Sequence, residues 1–468
     1  MVLKSSRPPA ITDALSERMA SFRSGMLGRA WPNIIAGRQD VSGRAFEVQC
    51  PFERSLVTSR LVAADGVAVR AAALAARKGQ MVWAGLSRKQ KADALSRSGA
   101  QLAERRLDLA LALVFERGMA RGEALLEADA AAGYLLAAAE KVVAVKEGSR
   151  PQGVVALLAY AGEPLRLLGA MMAAALAAGN AVVLRAPAQA GLATAIFMEA
   201  LGEAQLPEGL VNMLGGEEAG VLLAECAGVD GFVYAGPLEA GLKLQRKAMG
   251  AGWPRPFLFW AKGRNCAHVT ASADLDQAAQ VILATAFAAA GSGIGNLSTV
   301  IADAAIGADL NSRLKKGLEQ LKPGLAVDAA VTLSNLADVA GLERFERLVK
   351  TLRQKGRVLA GGETGLGGLA VRPVIAGDLP PEHVLAREES FLPVLILETA
   401  PDLAAGLARA AALPRGSLAC LFAKRASEAK IFRENALCPS LFLSPPLRPC
   451  PVSELFNPAD FRLRLGIS

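Results

Sequence analysis

The chain has 468 residues, with 52 Lys and Arg against 44 Asp and Glu. The basic excess of 8 is scattered among acidic residues with no interleaved aromatic stripe, which argues against a nucleic-acid groove. Only two histidines occur, His268 and His383, too little material for a histidine-rich metal site or a Ser/His triad. The length suggests two or three domains.

Residues 1–23 carry charges throughout and no apolar core, so neither export nor cleavage is indicated. From 67 to 147 the chain is rich in Ala, Leu, Arg and Glu at helical spacing, and helices are expected over 69–77, 89–120 and 121–146. From Gly153 the pattern turns to short aliphatic runs alternating with Ala-rich helices. Strands are expected at 154–158, 182–184, 211–214 and 231–234, with helices starting at Leu165, Leu192 and Glu218. Such regular succession argues for right-handed βαβ units and a largely parallel sheet.

A second α/β alternation is expected from Phe257, with strands at 267–269, 299–301 and 394–397 and helices between, so a domain boundary is placed near Pro256. Two uncharged stretches, 167–184 and 281–302, imitate membrane spans. Gly179-Asn180 breaks the first at an expected helix C-cap, and three glycines with Asn296 break the second. No membrane partner is expected. The six cysteines, at 50, 226, 266, 420, 438 and 450, form no C-x-x-C pair and read as reduced thiols of a cytoplasmic protein.

Several segments carry a more specific signal. Gly153-Val154-Val155-Ala156-Leu157, then Glu163-Pro164, then Ala175-Leu176-Ala177-Ala178-Gly179-Asn180-Ala181-Val182-Val183-Leu184-Arg185 form one run. Leu206-Pro207-Glu208-Gly209-Leu210-Val211-Asn212, Gly231 to Gly236, Lys262-Gly263-Arg264-Asn265 and Arg387 to Val394 follow in order. This sequence resembles the NAD(P)-dependent aldehyde dehydrogenase superfamily over residues 40 to 450. The phrasing around Val229-Asp230-Gly231, Leu242 to Arg246 and Ala273 to Asp276 is most similar to its succinylglutamate-semialdehyde dehydrogenase branch.

The resemblance implies an α/β fold of two doubly wound parallel-sheet domains with a small oligomerisation extension. Residues 1–125 and 144–256 would form the dinucleotide-binding-type domain and 257–435 the catalytic-type domain. Residues 126–143 and 436–468 would supply bridging segments, shortened relative to the family. The family's Asn-x-Pro turn is placed at Ser444-Pro445-Pro446-Leu447, and an interface strand at Phe461 to Leu465.

Aldehyde oxidation requires a thiolate nucleophile, an amide for the oxyanion and a carboxylate base. On the resemblance, the cysteine motif Gly-Gln-x-Cys-Thr falls on Gly291-Ser292-Gly293-Ile294-Gly295, so Ile294 replaces the nucleophile. The Glu-Leu-Gly-Gly-Lys motif falls on Trp260-Ala261-Lys262-Gly263-Arg264, so Trp260 replaces the base, at the family's spacing of 294 − 260 = 34. The oxyanion asparagine falls at Gly162. No catalytic residue is intact at these three positions.

The cofactor positions are eroded less evenly. A serine beside the pyrophosphate becomes Pro237, which lacks both hydroxyl and N–H. The Lys-Pro-x-Glu pattern that holds the adenosine ribose becomes Arg185-Ala186-Pro187-Ala188, where Ala188 has no carboxylate and Arg185 is still able to reach a ribose. Glu389 and Phe391 match the pair that positions the nicotinamide ribose and ring. No resident cofactor is expected, and NAD(P) binding is residual or lost.

Cys266 is the substitute nucleophile to weigh, with Arg264 and His268 nearby, against a buried cysteine acting as a small hydrophobe. The glycines at 291–295 imitate a phosphate cradle but lack a Walker lysine or Rossmann context, and are read as a loop relieved of catalysis. Glu163 and Arg166 are expected to form an exposed ion pair. These residues support a non-catalytic family member acting through binding, regulation or assembly, as a homo-oligomer or with another protein. The alternative is an NAD(P)-dependent oxidoreductase with rearranged residues, and a third reading is a nucleotide sensor without turnover.

Overall fold

The computed structural model describes residues 9–142, 149–250, 254–377, 379–380, 383, 388–443 and 462–464. The chain divides into two compact units: Ala10–Arg117, Ala124–Trp260 and Val452–Ser468 form one, and Met1–Pro9, Gly118–Glu123 and Ala261–Pro451 the other.

The first unit opens with α1 (Pro9–Met26) and five short strands, β1 (Ala30–Trp31), β2 (Asn33–Ile35), β3 (Arg38–Asp40), β4 (Arg44–Gln49) and β5 (Val57–Ala63). The Ala-rich segment then forms α2 (Gly66–Gly85), α3 (Arg88–Glu104), α4 (Arg106–Arg117) and α5 (Arg121–Glu140). One expected helix, 89–120, is two, because the chain breaks at Arg105.

After β6 (Ser149–Pro151) comes the parallel core: β7 (Val154–Ala159), α6 (Pro164–Ala177), β8 (Ala181–Arg185), α7 (Gly191–Glu203), β9 (Val211–Leu214), α8 (Ala219–Glu225), β10 (Gly231–Gly236), α9 (Leu238–Gly250) and β11 (Phe257–Ala261). The sheet runs β11-β10-β7-β8-β9-β2-β3, parallel from β10 through β9. Strands β7, β9 and β10 are buried at every position, as aliphatic runs covered on both faces must be. Helix α6 is likewise buried all round, which explains its membrane-like composition. It ends at Gly179, whose φ of +92° favours glycine, and Asn180 ties the turn to the Gly153 N–H at 2.9 Å.

Helix α7 begins without a side-chain cap of its own. The buried Glu116 carboxylate supplies one, accepting from the N–H groups of Leu192 and Ala193 and from the Ser59 hydroxyl. Strand β19 (Arg462–Arg464) pairs antiparallel with β6. The rest of the expected interface strand, Phe461 and Leu465, and the turn placed at Ser444–Leu447 lie outside the described residues.

The second unit contains β12 (Arg264–Val269), α10 (Leu275–Phe287), β13 (Thr299–Asp303), α11 (Gly307–Gln320), α12 (Val339–Lys355), β14 (Arg357–Gly361), β15 (Val374–Gly377), β16 (Val394–Ala400), α13 (Leu403–Ala411), β17 (Arg415–Phe422), α14 (Ala426–Asn435) and β18 (Ser440–Leu443). Its sheet order is β14-β15-β16-β13-β12-β17-β18, parallel from β15 through β18. Val300, Ile375, Leu395 and Ala267 centre its core, with α10 and α11 packed against them. The alternation expected from Phe257 starts at β12, since β11 hydrogen-bonds into the first sheet beside β10. Among the described residues no helix is long and apolar enough to cross a membrane.

Candidate functional site

In the first unit, strand order reverses between β7 and β10, the position where open α/β sheets form a crevice beyond their strand ends. Gly162 leaves β7 and Pro237 leaves β10, so both expected positions border that reversal. The turn at Pro237 is filled from within. The Tyr234 hydroxyl donates to the Pro237 carbonyl at 2.7 Å, and a Cβ added at Gly236 would lie 2.7 Å from Tyr234 Oη. Burial pushes the Tyr234 phenol pKa up, so this donor stays protonated. A helix N-terminus that suits an anion is here occupied by a phenol and a proline without an N–H.

Arg185 ends β8 and is largely withdrawn from solvent. Burial pulls its guanidinium pKa down, opposed by Glu217 and Tyr234. Ala188 lies in the short helical turn that follows and offers no carboxylate. Trp260 is half-buried in β11.

The Glu163–Arg166 pair corrects the expectation of an exposed contact. Arg166 Nη1 donates to Glu163 Oε1 at 3.1 Å and Arg166 Nε reaches Glu127 Oε1 at 3.1 Å, with all three residues under 9% exposed. Glu127, from α5, also accepts the Arg166 backbone N–H at 3.0 Å. The sequence hid this cluster because its third member comes from a distant helix.

In the second unit the expected positions gather before the N-terminal ends of β12, β13 and β16. Ile294 is fully buried, and the Asn265 Nδ2 donates to its carbonyl at 2.7 Å and to that of Asn296 at 3.0 Å. Asn265 Oδ1 accepts the N–H groups of Ser417 and Leu418 at 3.0 and 3.1 Å. The loop ahead of Ile294 is strained: Ala289 and Ala290 have φ of +48° and +54°. Gly291 follows at φ +77°, and a Cβ there would lie 2.2 Å from the Leu392 carbonyl oxygen. Residues 291–295 are wholly buried, so these glycines serve close packing rather than an open phosphate cradle.

Lys262, one of the residues that carried the resemblance, holds the centre. Its Nζ donates to the Gly291 carbonyl at 2.8 Å and pairs with Glu389 Oε1 at 2.8 Å. It also lies 5.3 Å from the centroid of the Phe391 ring. The lysine side chain is 2% exposed and that of Glu389 10%. Phe391 itself sits at φ +52°, unusual for an aromatic residue, and its N–H donates to Glu389 Oε1 at 3.1 Å. Glu389 Oε2 is buried without a partner among the described residues. Sequence reasoning gave Lys262 no role at the site; its one local sign is a long cationic side chain where the Glu-Leu-Gly-Gly-Lys motif has glycine.

Cys266 and His268 lie on β12, between β13 and β17. Burial pushes the Cys266 thiol pKa up, and it pushes His268 down to about 4, so neither thiolate nor imidazolium is favoured at neutral pH. The cavity they share with Arg264 and Cys438 measures about 30 Å³, room for little more than one or two waters.

The description "Aldehyde dehydrogenase family" belongs to the family pattern that matches residues 38–441. The 1-pyrroline-5-carboxylate dehydrogenase of Geobacillus thermodenitrificans (strain NG80-2) is 25% identical over 397 residues, 80% of this chain and 77% of the relative. That of Bacillus thuringiensis (strain Al Hakam) is 25% identical over 439 residues, covering 87% and 84%. Among solved structures, 1-pyrroline-5-carboxylate dehydrogenase from Thermus with bound NAD is similar with a TM-score of 0.88 at 22% identity, covering 97% of this chain and 92% of that one. An NAD-dependent aldehyde dehydrogenase from Sinorhizobium meliloti gives 0.86 at 22% identity, covering 95% and 97%. The structural likeness establishes the α/β fold, and the match over residues 38–441 establishes that this chain belongs to the aldehyde dehydrogenase family.

Proposed function

We propose that this chain is a non-catalytic member of the aldehyde dehydrogenase family, acting through binding, regulation or assembly. The observation that carries the reading is Ile294, a fully buried hydrocarbon at the position aligned with the nucleophile. The substitute thiol, Cys266, is sealed inside a parallel sheet beside a cavity too small for a semialdehyde. With Trp260 and Gly162 in place of base and oxyanion amide, three separate losses point the same way, since fold and activity are separable.

Two substrates frame the test. Succinylglutamate semialdehyde follows from the resemblance of Val229–Gly231 and Ala273–Asp276, and 1-pyrroline-5-carboxylate from the names of the relatives. Purified full-length protein is expected to form no reduced nicotinamide with either, or with simple aldehydes, using NAD or NADP. Turnover that Glu389→Ala abolishes would overturn the proposal. Self-association or pairing with another chain, in the cytoplasm, belongs to the same proposal, and a monomeric mass by light scattering would remove its self-assembly arm.

A further inference from the structure

We infer that Lys262 is a tethered occupant of the nicotinamide end of the cofactor site, so that the second unit is closed by its own chain and takes no nicotinamide nucleotide. This rests on the non-catalytic reading above and concerns the same site. An oxidised nicotinamide riboside brings two things to a carboxylate beside an aromatic ring: hydroxyl donors and a positively charged pyridinium. One ammonium supplies both. Lys262 Nζ donates to Glu389 Oε1 at 2.8 Å and sets its charge 5.3 Å from the Phe391 centroid.

The geometry around it is built for that purpose. Gly263, at φ +57°, turns the chain between β11 and β12 immediately after Lys262. The third contact, to the Gly291 carbonyl, ties the ammonium to the strained loop that leads to Ile294. Lys262 therefore joins the two loops that would otherwise border the ring and ribose. The substitution is incomplete, because Glu389 Oε2 keeps no partner among the described residues. A carboxylate suited to two hydroxyl donors receives one side-chain cation instead. The residues present thus disagree with a bound dinucleotide: the acceptor chemistry is kept, and its place is taken.

The experiment is calorimetric titration of nicotinamide mononucleotide into the full chain. The native protein is expected to show no saturable heat at millimolar ligand. Lys262→Gly is expected to gain saturable binding, at least about tenfold tighter, and addition of Glu389→Gln to that variant is expected to remove it. A native protein that binds the mononucleotide, or a folded Lys262→Gly variant that stays inert, overturns the inference. A second readout needs no cavity variant. The slowly exchanging ammonium protons of Lys262, assigned by their loss in Lys262→Met, should be observable by NMR in ¹⁵N-lysine-labelled protein. They should not move on addition of the mononucleotide, and a saturable shift would overturn the inference. Saturable mononucleotide binding by a native protein that turns over no aldehyde would overturn this inference while leaving the non-catalytic proposal standing.

Discussion

The side-chain amide of Asn265 holds the carbonyl of Ile294 at 2.7 Å from one strand while its oxygen accepts the N–H groups of Ser417 and Leu418 from another. One buried amide thus welds the loop that carries Ile294 to the sheet beneath it. Asn265→Ala strands several buried polar groups at once and is expected to cost about 3 kcal/mol or more. Urea denaturation followed by circular dichroism measures this, and a loss below 1 kcal/mol would mean that the network relaxes around the gap.

Restoring sulfur alone should not restore chemistry. Ile294→Cys places a thiol in a fully buried site, with Trp260 and Gly162 unchanged, and is expected to lose about 1–2 kcal/mol of stability without gaining aldehyde oxidation. Appearance of reduced nicotinamide in this variant would show that Ile294 was the sole lesion.

The Glu127–Arg166–Glu163 cluster gives a third expectation. Arg166→Met removes the cation and leaves two carboxylates facing each other in the interior, a change expected to cost about 3–5 kcal/mol. Adding Glu127→Gln and Glu163→Gln should recover much of the loss. Thermal unfolding of the single and triple variants compares them directly, and equal melting temperatures for native protein and Arg166→Met would contradict a structural role.

Glu116 gives stability a pH dependence. Burial raises its pKa from 4.5 to about 7, against the lowering effect of the Leu192 and Ala193 N–H groups. The folded state therefore holds a proton that the unfolded state has released between these values. The resulting stabilisation is fully present below pH 4.5 and is lost as pH rises through about 7. The native protein should lose up to about 3 kcal/mol from this group across the window, whereas Glu116→Gln should be flatter. Parallel pH slopes for the two proteins would refute the assignment.

The parallel core was readable because strands buried on both faces carry continuous aliphatic runs: Val211–Leu214 has the same bounds in sequence and structure. The short strands before Ala63 left no such mark. Arg38–Asp40 is three polar residues with mixed exposure, held by pairing to Asn33–Ile35 rather than by any periodicity of its own. The second alternation begins after β11 rather than at Phe257, because the pairing of β11 with β10 cannot be read from local pattern. At the site, the motif register singled out Ile294, Trp260 and Gly162, yet gave no place to the Lys262 ammonium, whose effect depends on Glu389 and Phe391, more than 100 residues away in sequence. Tyr234 and Glu127 escaped for the same reason: each acts through a tertiary contact.

Loss of aldehyde oxidation is tested most sharply by a single-turnover experiment with protein in excess of aldehyde, because slow chemistry escapes steady-state assays. Protein, NAD and 1-pyrroline-5-carboxylate or succinylglutamate semialdehyde are mixed and reduced nicotinamide is followed for hours. No product per subunit is expected. Stoichiometric reduced nicotinamide that disappears in Glu389→Ala would contradict the loss.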